Sequence, residues 1–167
     1  MTGYTISEER SVAKEQQFFE YVFGIVQKKK RYTFISTSFE EYYFIILDTI
    51  KHYEKLEQYE KCAVLKKELD HYLSTIPKNT EEAIQYMLRI SPEDKTESFK
   101  NFDEFSFAME LHPTVGKKMI DIWLLRQEIS PLKKHYASEH GIQNQDKIAH
   151  DVLTKYIQTV KSKIEKK

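Results

Sequence analysis

The apolar positions of the chain recur at the spacing of α-helices, and they are densest in one stretch. Six consecutive apolar or aromatic residues run from Tyr42 to Leu47. Ser38 precedes them with Glu41 three residues on, which is the sequence pattern of a capping box. We therefore predict a helix from Phe39 to about residue 55. Because it is apolar on more than one side, it is typical of a helix at the centre of a bundle.

A second apolar stripe follows after only a few polar residues, and it predicts the next helix, over residues 59–74. Its members are Tyr59, Cys62, Leu65, Leu69, Tyr72 and Leu73. Two helices joined by so short a connection lie antiparallel. The two helices therefore form a hairpin, with Ile46 and Leu69 in its core.

Capping residues and prolines divide the rest of the chain into further helices. These run from Ser7 to about Lys29, from the Asn79 cap to before Pro92, over about 101–111, over about 114–129 after a break at Pro113 and Thr114, from Ser130 and Pro131 to Gly141, and from the Asn144 cap almost to the end. The predicted fold is all-α, a single domain over residues 1–167. It is an irregular bundle of about six to seven helices around the central antiparallel hairpin (39–55, 59–74). Residues 91–98 are predicted to form an exposed loop and 162–167 a frayed basic tail.

Composition indicates an ordinary globular protein. Hydrophobic residues make up 40% and charged residues 31%, and the formal net charge is zero, so no global field attracts nucleic acid or an anionic membrane. The longest apolar run is far shorter than the ~20 residues of a membrane helix. The first ten residues do not have the pattern of a signal peptide. We expect a soluble cytoplasmic protein, with its one cysteine, Cys62, acting as a small buried hydrophobe.

The sequence lacks the common catalytic and cofactor motifs. Its four glycines are isolated, so neither a phosphate-binding loop nor a dinucleotide fingerprint is present. Neither Gly-x-Ser-x-Gly nor His-Glu-x-x-His occurs. We therefore expect no enzyme activity and no cofactor. An enzyme with an unrecognised site, using residues such as His112 and Glu110, remains an alternative that only composition supports.

Three carboxylate and imidazole pairs have helical spacing, which is one way to build a metal site in a bundle. They are Asp48 with His52, Glu68 with His71, and Asp146 with His150. Helical phase predicts that the first two pairs face water and that only the third lies at the edge of an apolar stripe. Ordinary surface pairs explain this spacing, so no metal site is predicted.

One segment resembles a known family. Residues 59–69 read Tyr-Glu-Lys-Cys-Ala-Val-Leu-Lys-Lys-Glu-Leu. Together with the preceding helix, over residues 45–73, they resemble the UVR hairpin, a helical module of excision-repair nuclease subunits and some chaperone ATPases. Lys66 stands where that family has Arg, Lys67 replaces its Asp, and Cys62 replaces a small residue. The resemblance implies a hairpin that docks on protein rather than an active site.

The function that these observations favour is protein recognition by a small adaptor, inhibitor or regulatory subunit. The chain has 11 tyrosines and 10 phenylalanines, residue types that anchor interfaces. The interaction candidates are Phe18, Tyr21, Ile25, Phe99, Phe102 and Phe105. The first three form a second apolar stripe on the first helix, and this stripe makes a homodimer a further prediction.

The alternative is a nucleic-acid accessory protein. Residues 114–167 carry 11 basic and 6 acidic side chains, so the last third is basic. Tyr136 or Tyr156 would stack on bases there. The basic candidates are Lys28, Lys29, Lys30, Arg31, Lys133, Lys134, Lys161 and Lys163.

Overall fold

The computed structural model describes residues 6–28, 38–91 and 103–165, and all regular structure within these ranges is helical. The all-α prediction is therefore confirmed. The helices are α1 (Ile6–Gln27), α2 (Phe39–Lys55), α3 (Tyr59–Ser74), α4 (Thr80–Ile90), α5 (Glu104–Leu111), a π-helical turn (His112–Gly116), α6 (Lys117–Ile122), α7 (Pro131–His140) and α8 (Gln145–Glu165). The chain forms two compact units, Met1–Tyr72 and Leu73–Lys167. The single domain over residues 1–167 stays a prediction.

The predicted hairpin forms the core of the first unit. Glu41 N donates to Ser38 Oγ at 3.1 Å and Ser38 N donates to Glu41 Oε2 at 3.0 Å, which completes the predicted capping box. Tyr42, near the start of α2, donates through its hydroxyl to Glu68, near the end of α3. This pairing is that of antiparallel helices. Ile46 and Leu69 are both buried in the core, as predicted.

Helix α1 covers the hairpin with a stripe of apolar side chains. Phe19, Val22 and Val26 join the buried cluster of α2 and α3. The ring of His52 stacks on Phe19 with a centroid distance of 4.3 Å. The prediction that His52 faces water is therefore wrong, because an aromatic side chain from a neighbouring helix covers that side of α2.

Helix α8 occupies the centre of the second unit, where it contacts α4, α5, the π-helical turn, α6 and α7. Its buried residues are Ile148, Ala149, Val152, Leu153, Tyr156, Ile157 and Val160. Ile148, Val152, Tyr156 and Val160 recur every four residues and form one buried side. Leu153 and Ile157 add a second buried side, so α8 is packed from more than one direction.

The predicted helix over 114–129 is wrong in its second half, because α6 ends at Ile122. Leu124 adopts a left-handed conformation with φ of 51°, and Leu125 N donates to Ile120 O at 2.9 Å. These are features of a Schellman motif, which usually has glycine in the left-handed position. Left-handed leucine costs about 1–2 kcal/mol. Burial of the Leu124 side chain offsets this strain, since it contributes about 1.5–3 kcal/mol.

The predicted break at Pro113 is also wrong. Helical structure continues from α5 through the π-helical turn into α6. Proline has no N–H and its ring crowds the carbonyl four residues earlier, so a regular α-helical turn is unfavourable at this point. The helix widens into a π-helical turn instead. Lys117 N donates to His112 O, five residues earlier in the chain.

Candidate functional site

A groove lies between α5 with its π-helical turn and the first turns of α8, all within the second unit. Its volume is about 400 Å³, and its lining residues are Met109, His112, Pro113, Asp146, Lys147 and His150. The ring of Phe105 lies 4.8 Å from that of His150, edge to face, and continues the apolar side of the groove. The groove thus has an apolar wall on α5 and a polar wall on α8.

Two contacts stabilise the start of α5, one within the helix and one to α8. The Asp103 carboxylate accepts from Ser106 N at 2.8 Å and caps the helix, and this hydrogen bond lowers the pKa of Asp103. Lys161 of α8 donates to Glu104 at 2.6 Å, and the ammonium holds the pKa of that carboxyl below its ordinary value. The start of α5 is therefore attached to the later part of α8.

The π-helical turn brings His112 against the start of α8. His112 Nε2 lies 3.3 Å from Asp146 O and 3.6 Å from Asp146 Oδ1. Because a carbonyl oxygen only accepts hydrogen bonds, Nε2 is the donor in this contact when the ring carries a proton on that nitrogen. The absence of a side chain at Gly116 makes room for the ring, since a Cβ there would lie 3.0 Å from His112 Cδ2. Wide helical turns of this kind are frequent at functional sites.

The apolar wall of the groove is unusually open to solvent. Phe105 is 61% exposed and Met109 is 54% exposed. They lie four residues apart on α5, so both side chains project from the same side of the helix. Pro113, four residues further on, is also exposed. The three residues form one apolar ridge.

The polar wall contains an unsatisfied atom. Within the part of the chain that the structure describes, His150 Nε2 is buried and has no hydrogen-bond partner. A buried polar atom without a partner costs about 1–3 kcal/mol. Lys147 is exposed one turn earlier on α8 and makes no ion pair with a described residue. The wall thus presents one exposed ammonium, that of Lys147, beside a buried imidazole nitrogen that lacks a hydrogen-bond partner.

The interaction candidates differ in how exposed their side chains are. Phe18 and Tyr21 are exposed on α1 and Phe105 is exposed beside the groove, whereas Ile25 is only 7% exposed. The interpretation of Ile25 as an exposed anchor is therefore wrong. Phe99 and Phe102 lie outside the described residues.

The basic candidates do not form one surface. The prediction that Lys133 contacts nucleic acid is wrong, because Lys133 is buried. Its ammonium donates to Glu128 at 2.5 Å and to Arg126 O. Lys161 forms an ion pair with Glu104. Lys28, Lys134 and Lys163 are exposed, and Lys29, Lys30 and Arg31 lie outside the described residues.

The two tyrosines predicted to stack on bases are buried, so this prediction is wrong. Tyr136 donates to Asp151 at 2.7 Å and Tyr156 donates to Ser91 at 2.6 Å. Burial raises the pKa of both hydroxyls. Both rings belong to the core around α8, where nucleobases have no access.

The three carboxylate and imidazole pairs differ in how exposed their side chains are. Asp48 and His71 are exposed, as helical phase predicts, while Glu68 is half-buried and accepts from Tyr42. Asp146 and His150 both line the groove, together with His112. Glu110 is exposed on α5. No group of three or more histidine, cysteine, aspartate and glutamate side chains suited to a metal ion occurs among the described residues.

Sequence reasoning did not identify the groove as a site. The sequence predicts a helix over about 101–111 and places Asp146 with His150 at the edge of an apolar stripe. The repeated spacing of four in Phe105, Met109 and Pro113 was a further signal, but Pro113 was interpreted as a break in the chain. Lys147 had no sequence signal, because its role depends on the packing of α8 against α5.

No helix in the described ranges combines the length and the apolar character needed to cross a membrane. The cytoplasmic location stays a prediction.

Comparison with protein families gives a match in the second half of the chain. Residues 76–160 match the family model described as a domain of unknown function (DUF6794). No curated protein and no solved structure matches the chain. The matched residues include the whole groove, from Phe105 to His150. The match extends over half of the chain, and the protein therefore belongs to the DUF6794 family.

Proposed function

We propose that the protein is a helical interaction protein, an adaptor, inhibitor or regulatory subunit, which binds a partner protein in the groove between α5 and α8. The observation that carries this proposal is the exposure of Phe105 and Met109 side by side at the groove. Aromatic residues and methionine are enriched at the centres of protein interfaces. Burial of both side chains by a partner removes a large apolar area from water.

The shape of the ridge supports recognition of a partner of some length. Phe105 and Pro113 are eight positions apart, with Met109 midway, and this separation corresponds to about 12 Å along a helix. Anchors spaced in this way fit the mode in which an amphipathic helix lies in a groove. His112, fixed on the backbone of Asp146, supports one side of the groove and serves as a positioning residue.

The resemblance of the α2–α3 hairpin to the UVR hairpin supports the same class of function for the first unit. Cys62 and Leu65 are buried, while Val64 is exposed on the outer side of α3. We propose the surface around Val64 as a secondary protein contact. No catalytic step and no cofactor are part of the proposal.

The test is affinity purification from the native host with identification of the bound partner, followed by calorimetry with the recombinant partner. The variant Phe105→Asp/Met109→Asp should weaken binding at least about tenfold, because interface anchors each contribute about 2 kcal/mol or more. Ile90→Asp is the matched control, since Ile90 is 56% exposed and does not line the groove. Thermal unfolding verifies that each variant folds.

A partner that binds the wild-type protein and the double variant equally would contradict the proposal. Nucleic acid that survives purification without nuclease, in place of a protein, would favour the nucleic-acid alternative.

A further inference from the structure

The polar wall of the groove indicates what the partner must present. We propose that the partner is an amphipathic helix with an Asp or Glu beside its apolar stripe, and that Lys147 and His150 bind this carboxylate. The inference rests on the proposed function and specifies the chemistry of the partner at the same groove.

The apolar wall favours a helix as the bound segment. An extended peptide binds by adding a strand to a sheet edge, and the described residues contain no sheet. A helix presents side chains at i, i+3, i+4 and i+7, and these match a ridge whose own residues are four apart. Phe105 and Met109 thus contact the apolar stripe of the partner.

The polar wall favours a negative charge. Lys147 and His150 lie three residues apart on α8, so they are neighbours on the helix surface. Lys147 offers an ammonium without an ion pair to a described residue, and His150 Nε2 is buried without a hydrogen bond. A carboxylate accepts from the exposed Lys147 Nζ, and it reaches the buried His150 Nε2 when the partner displaces the Phe105 ring, which lies 4.8 Å from the imidazole. Each hydrogen bond is charge-assisted.

One acidic residue, Asp146, lines the same groove, and its carboxylate accepts a hydrogen bond from Gln145 Nε2. The Asp146 carboxylate lies 3.6 Å from His112 Nε2, on the side of the π-helical turn. Glu104 is paired with Lys161. The groove also lies at the N-terminal end of α8, where the helix dipole favours an anion.

The experiment selects peptides from a phage-displayed library of random 16-residue peptides on the full-length protein. Wild-type protein should enrich peptides with apolar residues at helical spacing and an adjacent Asp or Glu. Lys147→Glu should reverse this preference and enrich Lys or Arg, because charges at an interface rim determine partner choice. Lys134→Glu is the matched control, since Lys134 is an exposed lysine on α7 and does not line the groove.

A synthetic copy of the best peptide provides the quantitative test. Exchange of its acidic residue for the amide should weaken binding to the wild-type protein about fivefold or more. The same exchange should change binding less than about twofold in Lys147→Met/His150→Phe, a variant that retains side-chain volume and removes both nitrogen groups. Circular dichroism of the bound peptide should show helix.

Three results would overturn the inference: no enriched peptide, enriched peptides without acidic residues, or the same preference on Lys147→Glu. If the peptides depend on Met109 but not on charge, the inference fails and the proposed function stands. If the native partner binds independently of Phe105 and Met109, the proposed function itself fails.

Discussion

At the scale of single residues, Gly116 and Gly24 show that the same amino acid has different roles in two helices. A Cβ on Gly116 would lie 3.0 Å from Cδ2 and 3.1 Å from Cγ of His112, whereas a Cβ on Gly24 would meet nothing within 4 Å. A side chain at position 116 would therefore crowd the His112 ring in its present position. Gly24 has no such neighbour and carries only the usual cost of glycine within a helix.

Gly116→Ala should displace the His112 ring and destabilise the protein by about 1–3 kcal/mol, because an added methyl group in a filled space forces its neighbours to move. Chemical denaturation measures the change, and the imidazole signals of His112 in NMR spectra report the displacement. Gly24→Ala is the control and should stabilise the protein by up to about 1 kcal/mol through helix propensity. Unchanged His112 signals in Gly116→Ala would contradict this account of the groove.

At the scale of helices and turns, caps were predictable and the end of α6 was not. Ser38, Asn79 and Ser130 each accept a hydrogen bond at the start of a helix, as their sequence context predicts. Such contacts join residues that are three apart in the chain, so the local sequence is sufficient to predict them. The left-handed Leu124 has no local signal, because its conformation depends on burial in the core of the second unit.

Ser130 joins this irregular turn to α7. Its hydroxyl donates to Trp123 O at 2.7 Å and accepts from Lys133 N, and the residue is completely buried. Ser130→Ala should destabilise the protein by about 1–3 kcal/mol, because it removes a helix cap and leaves a buried carbonyl without a donor.

Ser138→Ala is the control for this prediction, since Ser138 lies on the same helix, is exposed, and donates only to His135 O in its own turn. Urea denaturation of both variants measures the difference. Equal midpoints would show that the contact with Trp123 does not contribute to the stability of this region.

At the scale of the whole molecule, the remaining question is whether two chains associate. The predicted homodimer used a second apolar stripe on α1, and burial of Ile25 reduces that stripe to Phe18 and Tyr21, which are exposed. Exposed aromatic residues are typical anchors of an interface. The stripe belongs to the first unit and the groove to the second.

Light scattering at high protein concentration tests this association. If the stripe is an interface, the wild-type protein should have the mass of a dimer, and Phe18→Glu/Tyr21→Glu should have that of a monomer, because two like charges would face each other across the symmetry axis. Phe105→Glu should leave the mass unchanged. A wild-type protein that remains monomeric at all concentrations would exclude the homodimer.

The sequence by itself determined the helices whose signals are local. Apolar periodicity and capping residues located the hairpin of α2 and α3, the start of α4, α7 and most of α8, because each signal depends on residues within one or two turns. It also excluded the familiar catalytic motifs. Composition alone overestimated the basic surface, since net charge does not reveal that Lys133 is buried and Lys161 is paired.

Only the tertiary structure decided what lies between the helices. The groove requires α5, the π-helical turn and α8 to meet, and its residues are more than 30 positions apart in the chain, as the contact of His112 with Asp146 illustrates. The role of Pro113 and the left-handed Leu124 also depend on neighbours distant in sequence. Packing between distant segments sets these features, and periodicity along the chain contains no information about which helices will be neighbours.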